Sequence, residues 1–170
     1  MNAPLTLYYF AYGSNMLLRR MRERTPSARV VATGRVDRHE LRWHKLGLDG
    51  SGKCDMIQVD HAGACVHGVV YEICTSEKPL LDAAESLGVG YAQKQVVVKT
   101  GATTLRAWLY HALSIDPGAV PYAWYKSLVV GGAKEHALDA AYLRILDAVV
   151  AKPDPDTGRA RLHEALIGPG

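Results

Sequence analysis

Apolar and polar positions change their period several times along the chain. Residues 5 to 11, LTLYYFA, are rich in aromatic and β-favouring residues and predict a buried first strand. In the next stretch, SNMLLRRMRER, Met16, Leu17 and Met21 are spaced between arginines. That spacing predicts a helix beginning near Asn15, with Ser14 or Asn15 as its N-cap. TPSA (residues 25 to 28) ends it, because proline disfavours helical geometry in the residue before it.

A β-rich middle follows. ARVVAT, HELRWH, CDMIQV and ACVHGVVYEI read as strands, parted by GLDGSGK and DHAG. TSEKPLLDAAESL predicts a short helix with Thr75 or Ser76 as cap, Pro79 in its first turn and Leu80, Leu81 and Ala84 on its apolar side. QKQVVVKT and TLRAWLYHAL predict a hairpin around Gly101, and PYAWYKSLVVGGA and EHALDAAYLRILDAVV predict two helices. Strands predominate and do not alternate regularly with helices. The expected class is α+β, with a largely antiparallel or barrel-like sheet. The expected organisation is one domain over residues 1 to 152, then a polar, Pro- and Gly-containing tail, 153 to 170, partly mobile near its end.

Composition narrows the function classes. With 48% hydrophobic residues the chain can bury a sizeable core, and a net charge of +3 is too mild to argue for nucleic acid. The arginines at 19, 20, 22 and 24 read as a solvated helix face, with an anionic partner as the alternative. Cys54, Cys65 and Cys74 are odd in number and widely spaced, which suits a reducing compartment. The first ten residues lack a basic leader and apolar core, and no stretch has the ~18 apolar residues that span a membrane. A soluble cytoplasmic protein is expected, with no nucleic-acid and no membrane partner.

The turn after the first strand is the first candidate site. A strand, a Gly-containing turn and a helix start present free backbone N–H groups carrying partial positive charge, which suits an anion or oxyanion. Gly13 lets a ligand approach the backbone. The same residues also fit a capped helix that binds nothing. Neither a P-loop nor a nucleophile elbow is present, since Tyr12 and Met16 flank Ser14 where glycines would be needed. Asp82 and Glu85 fall near the end of a short helix, where the dipole opposes a negative charge and raises a carboxyl pKa. A carboxylate so tuned can take and give a proton near neutral pH. Solvated surface acids are the alternative. His61, Cys65 and His67 lack a fourth ligand at a persuasive spacing, so no metal is expected. GxGxxG is absent, so no dinucleotide site is expected.

YFAYGSNM, residues 9 to 16, resembles the signature of the γ-glutamylcyclotransferase family. LDAAESLGVGY looks like the segment carrying that family's catalytic glutamate, VHGVVYEI its central strand, and PYAWYKSLVVGGAKEHALDAAYLRIL its C-terminal segment. In order, these span most of residues 8 to 146. The resemblance implies a mixed barrel-like fold with a central cavity and no cofactor or metal. It implies a reaction in which a γ-glutamyl amide is cleaved by its own α-amine, giving 5-oxoproline and a free amine or amino acid.

Under that resemblance Glu85 is the general base and acid. Tyr9, Phe10, Ala11, Tyr12, Gly13 and Ser14 are the loop that binds the γ-glutamyl group, completed by Asn15. Tyr110 and Tyr125 are cavity tyrosines. Ser86 stands where the family usually has glycine, and Ala92 where a second aromatic often follows. Ala92 is expected to enlarge the cavity or to change its amine preference. YGSN resembles the branch acting on γ-glutamyl amino acids more than those specific for glutathione or γ-glutamylamines. Relatives suggest a homodimer. The alternative is a binding or sensor protein that keeps the pocket and turns nothing over.

Overall fold

The computed structural model describes residues 4–101 and 103–168. Five strands close a barrel: β1 (Thr6–Ala11), β5 (Cys65–Cys74), β2 (Arg29–Asp37), β6 (Tyr91–Lys99) and β7 (Thr104–Ala112), in that spatial order. Neighbours pair antiparallel except at the closure, where Tyr9 of β1 meets Trp108 of β7 in parallel. A separate hairpin of β3 (His39–Leu46) and β4 (Gly52–Gln58) folds over one end. Five helices flank the sheet among the described residues: α1 (Leu18–Arg24), α2 (Lys78–Ala84), α3 (Ala123–Glu135), α4 (Ala140–Asp147) and α5 (Thr157–Glu164). The expected α+β class with a mixed barrel is what the chain forms.

The core follows the apolar runs. Phe10, Val69, Val70, Tyr71, Ile73, Val98 and Leu109 from the barrel are fully buried, as are Leu128, Val129 and Ala133 of α3. Each large aliphatic or aromatic side chain so buried contributes roughly 1.5–3 kcal/mol relative to exposure. Tyr71 keeps its hydroxyl satisfied by donating to the Met16 carbonyl at 2.6 Å.

Three helix starts differ from the sequence expectation. After the first strand comes a 3-10 turn, Ser14–Met16, and α1 starts only at Leu18. Neither Ser14 nor Asn15 caps it, because both side chains are bonded elsewhere. Thr75 and Ser76 do not cap α2; a 3-10 turn precedes it, although Pro79 does sit in its first turn. α4 starts at Ala140 rather than Glu135. Ala137 adopts a left-handed φ of 49°, which interrupts the helix, and the Asp139 carboxylate accepts from the Ala141 and Tyr142 amides to restart it.

The stretch from 153 carries structure of its own. Asp154 accepts two bonds from Arg159, at 2.6 and 2.7 Å, and one from the Trp124 indole at 2.7 Å. Those bonds tie α5 to α3.

Helix α3 lies against the turn at Ser14–Met16 with no room to spare. A Cβ on Gly132 would stand 2.5 Å from the Leu17 nitrogen and 2.7 Å from the Met16 carbonyl carbon, both backbone atoms. Gly132→Ala is therefore expected to destabilise the fold by about 1–3 kcal/mol. Urea unfolding of the purified variant measures this; an unchanged midpoint would show the contact to be slack.

Candidate active site

Strand β1 delivers the turn to one end of the barrel. Tyr9, Tyr12, Gly13, Ser14 and Asn15 line a small pocket together with Cys54, Glu85, Tyr91, Tyr110 and Tyr125. Phe10 and Ala11, expected with them, do not line it. Successive side chains of a strand point to opposite faces, and the Phe10 ring packs instead against Gly68 of β5. The role expected of Gly13 also changes. A Cβ there would come within 3.1 Å of the Cys54 Cβ and 3.3 Å of the Tyr125 hydroxyl, so glycine admits two protein groups. The Gly13 and Ser14 carbonyls accept from the Met16 and Leu17 amides, while the N–H groups of Gly13, Ser14 and Asn15 take no part in these bonds.

Glu85 is the C-cap of α2, with φ −91° and ψ 0°. The next residue, Ser86, turns the chain back with a left-handed φ of 51°. That conformation favours glycine, which explains the glycine usual at this place in the family the motifs resemble. The turn aims the Glu85 carboxylate inward, leaving its side chain 13% exposed. Its Oε1 accepts from Asn15 Nδ2 at 3.0 Å and is ion-paired with Arg24 Nη1. Asn15 Nδ2 also donates to the Tyr9 hydroxyl at 3.0 Å, while Asn15 Oδ1 is buried with no partner among the described residues. An orphaned acceptor beside a carboxylate suits a ligand that brings N–H groups.

The remaining lining is a shell of tyrosines. Tyr91 donates to the Cys54 carbonyl at 2.9 Å, and the Cys54 amide donates to the Tyr125 hydroxyl at 3.0 Å. Tyr12 donates to the Tyr110 carbonyl, and Tyr110 donates to Asp82 at 2.5 Å. Asp82, the other acid considered from sequence, is thus occupied by Tyr110 and by Lys78. Burial pushes the phenols of Tyr9, Tyr12, Tyr91, Tyr110 and Tyr125 above their ordinary range, so all five stay neutral. Burial also pushes the Cys54 thiol up to about 12, which removes it as a nucleophile.

The arginine face is only partly a solvated one. Arg20 and Arg24, four residues apart, turn toward the site. Arg20 donates to the Ser14 hydroxyl at 3.0 Å and contacts His163 Nδ1 at 3.3 Å. With Lys45, Lys53 and Asp49 they line a vestibule of about 240 Å³ outside Glu85. These residues, with Cys54 and Tyr91, escaped the sequence reading. Only the four-residue spacing of Arg20 and Arg24, one face of a helix, was a usable signal. Ala92 pairs with His111 on β6 and β7 and does not line the pocket, because it faces away from Tyr91's side of the strand. Cys65 and His67 are 3.5 Å apart, and His67 packs on Tyr142.

Comparison with known proteins places this geometry. Residues 65–146 match the AIG2-like family. The gamma-glutamylcyclotransferase of Homo sapiens is 30% identical over 164 residues, covering 89% of this chain and 81% of that protein. The gamma-glutamylcyclotransferase of Mus musculus is 31% identical over 176 residues, covering 95% and 86%. A solved structure described as gamma-glutamyl cyclotransferase superposes with a TM-score of 0.86 at 28% identity, covering 98% of this chain and all of that one.

Two measurements test the local physics. Ser86→Gly removes a side chain from a left-handed position and is expected to stabilise the fold by up to about 1 kcal/mol; a lower urea midpoint would contradict the strain. His39, His67 and His163 are each held below the usual imidazole value, chiefly by burial. The unfolded chain regains the ordinary value near 6.5. It therefore takes up protons first as pH falls through that range, and stability falls with it. Unfolding midpoints are expected to be lower at pH 5.5 than at pH 7.5; equal midpoints would overturn this.

Proposed function

The chain belongs to the γ-glutamylcyclotransferase family, and from that premise we propose that it releases 5-oxoproline from a γ-glutamyl amino acid with Glu85 as its proton carrier. Family membership supports a cyclotransferase enzyme in general. The observation that carries the finer reading is one half-buried carboxylate, Glu85, held by Arg24 and Asn15 at the edge of a pocket otherwise lined by neutral groups.

The reaction needs two proton transfers and no added water. The substrate's α-amine nitrogen attacks its own γ-carbonyl carbon, a C–N bond forms, and the nitrogen sheds a proton. The γ-amide C–N bond then breaks, and the leaving nitrogen gains a proton. A single carboxylate between the two nitrogens serves both steps, first as base and then as acid. Arg24 steadies the carboxylate while it is charged. The free Oδ1 of Asn15 fits a second N–H of the α-amine. Oxygen charge developing on the γ-carbonyl suits the N–H groups at Gly13 to Asn15, which take no part in the turn's bonds among the described residues. The tyrosine walls would hold the substrate folded on itself, and such positioning supplies much of the acceleration.

Incubation with γ-glutamyl amino acids, γ-glutamylamines and glutathione, followed by measurement of 5-oxoproline, tests this. Wild type is expected to release 5-oxoproline from γ-glutamyl amino acids, and Glu85→Gln to lose at least about 100-fold in kcat, in line with removal of a general base. Circular dichroism of the variant confirms that it remains folded. Tight binding of these compounds without any release would instead support a binding or sensor protein.

A further inference from the structure

The pocket and the vestibule differ in charge, and that difference bears on what the enzyme releases. The inner pocket is lined by tyrosines, small residues, Asn15 and Glu85, with no cation among them. The vestibule shares Ser14, Glu85, Tyr91 and Tyr125 with it, so Glu85 stands at the boundary. A γ-glutamyl group in the inner pocket places its scissile amide at that boundary and its leaving group in the vestibule.

Four cations face that space: Arg20, Arg24, Lys45 and Lys53. Two have counter-ions. Arg24 pairs with Glu85, and Lys53 pairs with Asp49 at 2.8 Å. Arg20 and Lys45 have no carboxylate within ion-pair distance among the described residues. Arg20 bonds only a hydroxyl and an imidazole there. Lys45 is only 8% exposed, and its ammonium lies 4.9 Å from the centre of the Tyr91 ring. An ammonium ion so far withdrawn from water without a counter-ion is costly.

The hairpin makes the arrangement more costly still. Lys45 on β3 stands directly opposite Lys53 on β4 in the antiparallel register, and both line the vestibule. Like charges at that position destabilise a sheet. Burial lowers the pKa of both lysines, and burial with the nearby Arg24 lowers that of Arg20 to about 10. When Glu85 takes its proton, Arg24 loses its counter-ion too.

Resting on the reading above, we propose that the vestibule is a subsite for an acidic leaving group, an amino acid carrying two carboxylates, and that Arg20 and Lys45 are its specificity-determining residues. Two unmatched cations meet two carboxylates, and the like-charge opposition of Lys45 and Lys53, offset in part by Asp49, is eased further by such a ligand.

The test compares γ-glutamyl-glutamate with γ-glutamyl-glutamine, which has the same shape and one charge fewer. Wild type is expected to release 5-oxoproline from the first with about tenfold or greater kcat/KM, the effect of one charge-assisted contact. Lys45→Met is expected to bring the two values together, and Lys45→Arg to keep most of the preference. Equal kcat/KM for the two substrates in wild type overturns the inference while leaving the cyclotransferase reading intact. A preference that survives in Lys45→Met overturns the role of Lys45. Absence of release from every γ-glutamyl compound overturns the reading on which the inference rests. The wild-type comparison does not depend on any variant folding.

Discussion

The site depends on keeping one carboxylate, that of Glu85, largely out of water. An unpaired charge in such a place would be costly, and three elements meet to prevent it. Arg24 reaches in from α1, Asn15 from the turn after β1, and the end of α2 supplies the glutamate itself. The left-handed backbone at Ser86 and the close seat of α3 on the turn at Ser14–Met16 both serve this meeting. Asn15 is the hinge of the network. Its amide nitrogen donates to Tyr9 and Glu85, and its oxygen has no partner among the described residues.

Around this one charge the pocket is chemically quiet. Five phenols and a thiol are all held neutral by burial. Quiet walls suit a reaction in which the substrate supplies both nucleophile and electrophile. The proposed proton carrier then has no competitor among the lining groups, and the tyrosines act by shape and by fixed hydrogen bonds.

The charge distribution changes abruptly outside Glu85. The hairpin of β3 and β4 brings lysines to the vestibule, and α1 brings arginines. The C-terminal stretch takes part as well. His163 of α5 stacks on Trp124 with ring centres 4.0 Å apart and contacts Arg20, so α5 buttresses a cation of the vestibule.

Much of this was legible in the sequence, for reasons that are local. Runs of β-favouring residues marked the seven strands, and turn residues marked most of their ends. YFAYGSNM pointed to the turn, and LDAAESLGVGY to a glutamate at a helix end. The sequence also showed Ser86 in a glycine position, though not why glycine belongs there. Phe10 and Ala11 belong to the motif but do not line the pocket, and strand alternation turns the Phe10 ring to another face. Ser14 and Asn15 look like helix caps, yet tertiary partners outbid the backbone for their side chains.

By itself, then, the sequence determined the strand and helix order, the family likeness and the proposed catalytic residue, because each is written in neighbouring positions. Only the tertiary structure decided what surrounds that residue. Arg24 and Asn15 are 61 and 70 residues from Glu85 along the chain, and Cys54 and Tyr125 are 71 residues from each other. Whether an arginine in MLLRRMRER is solvated or pairs with a half-buried glutamate depends on how β1 and β7 close the barrel and bring α1 beside α2. No local pattern encodes that distance, since it is set by packing among elements far apart in the chain.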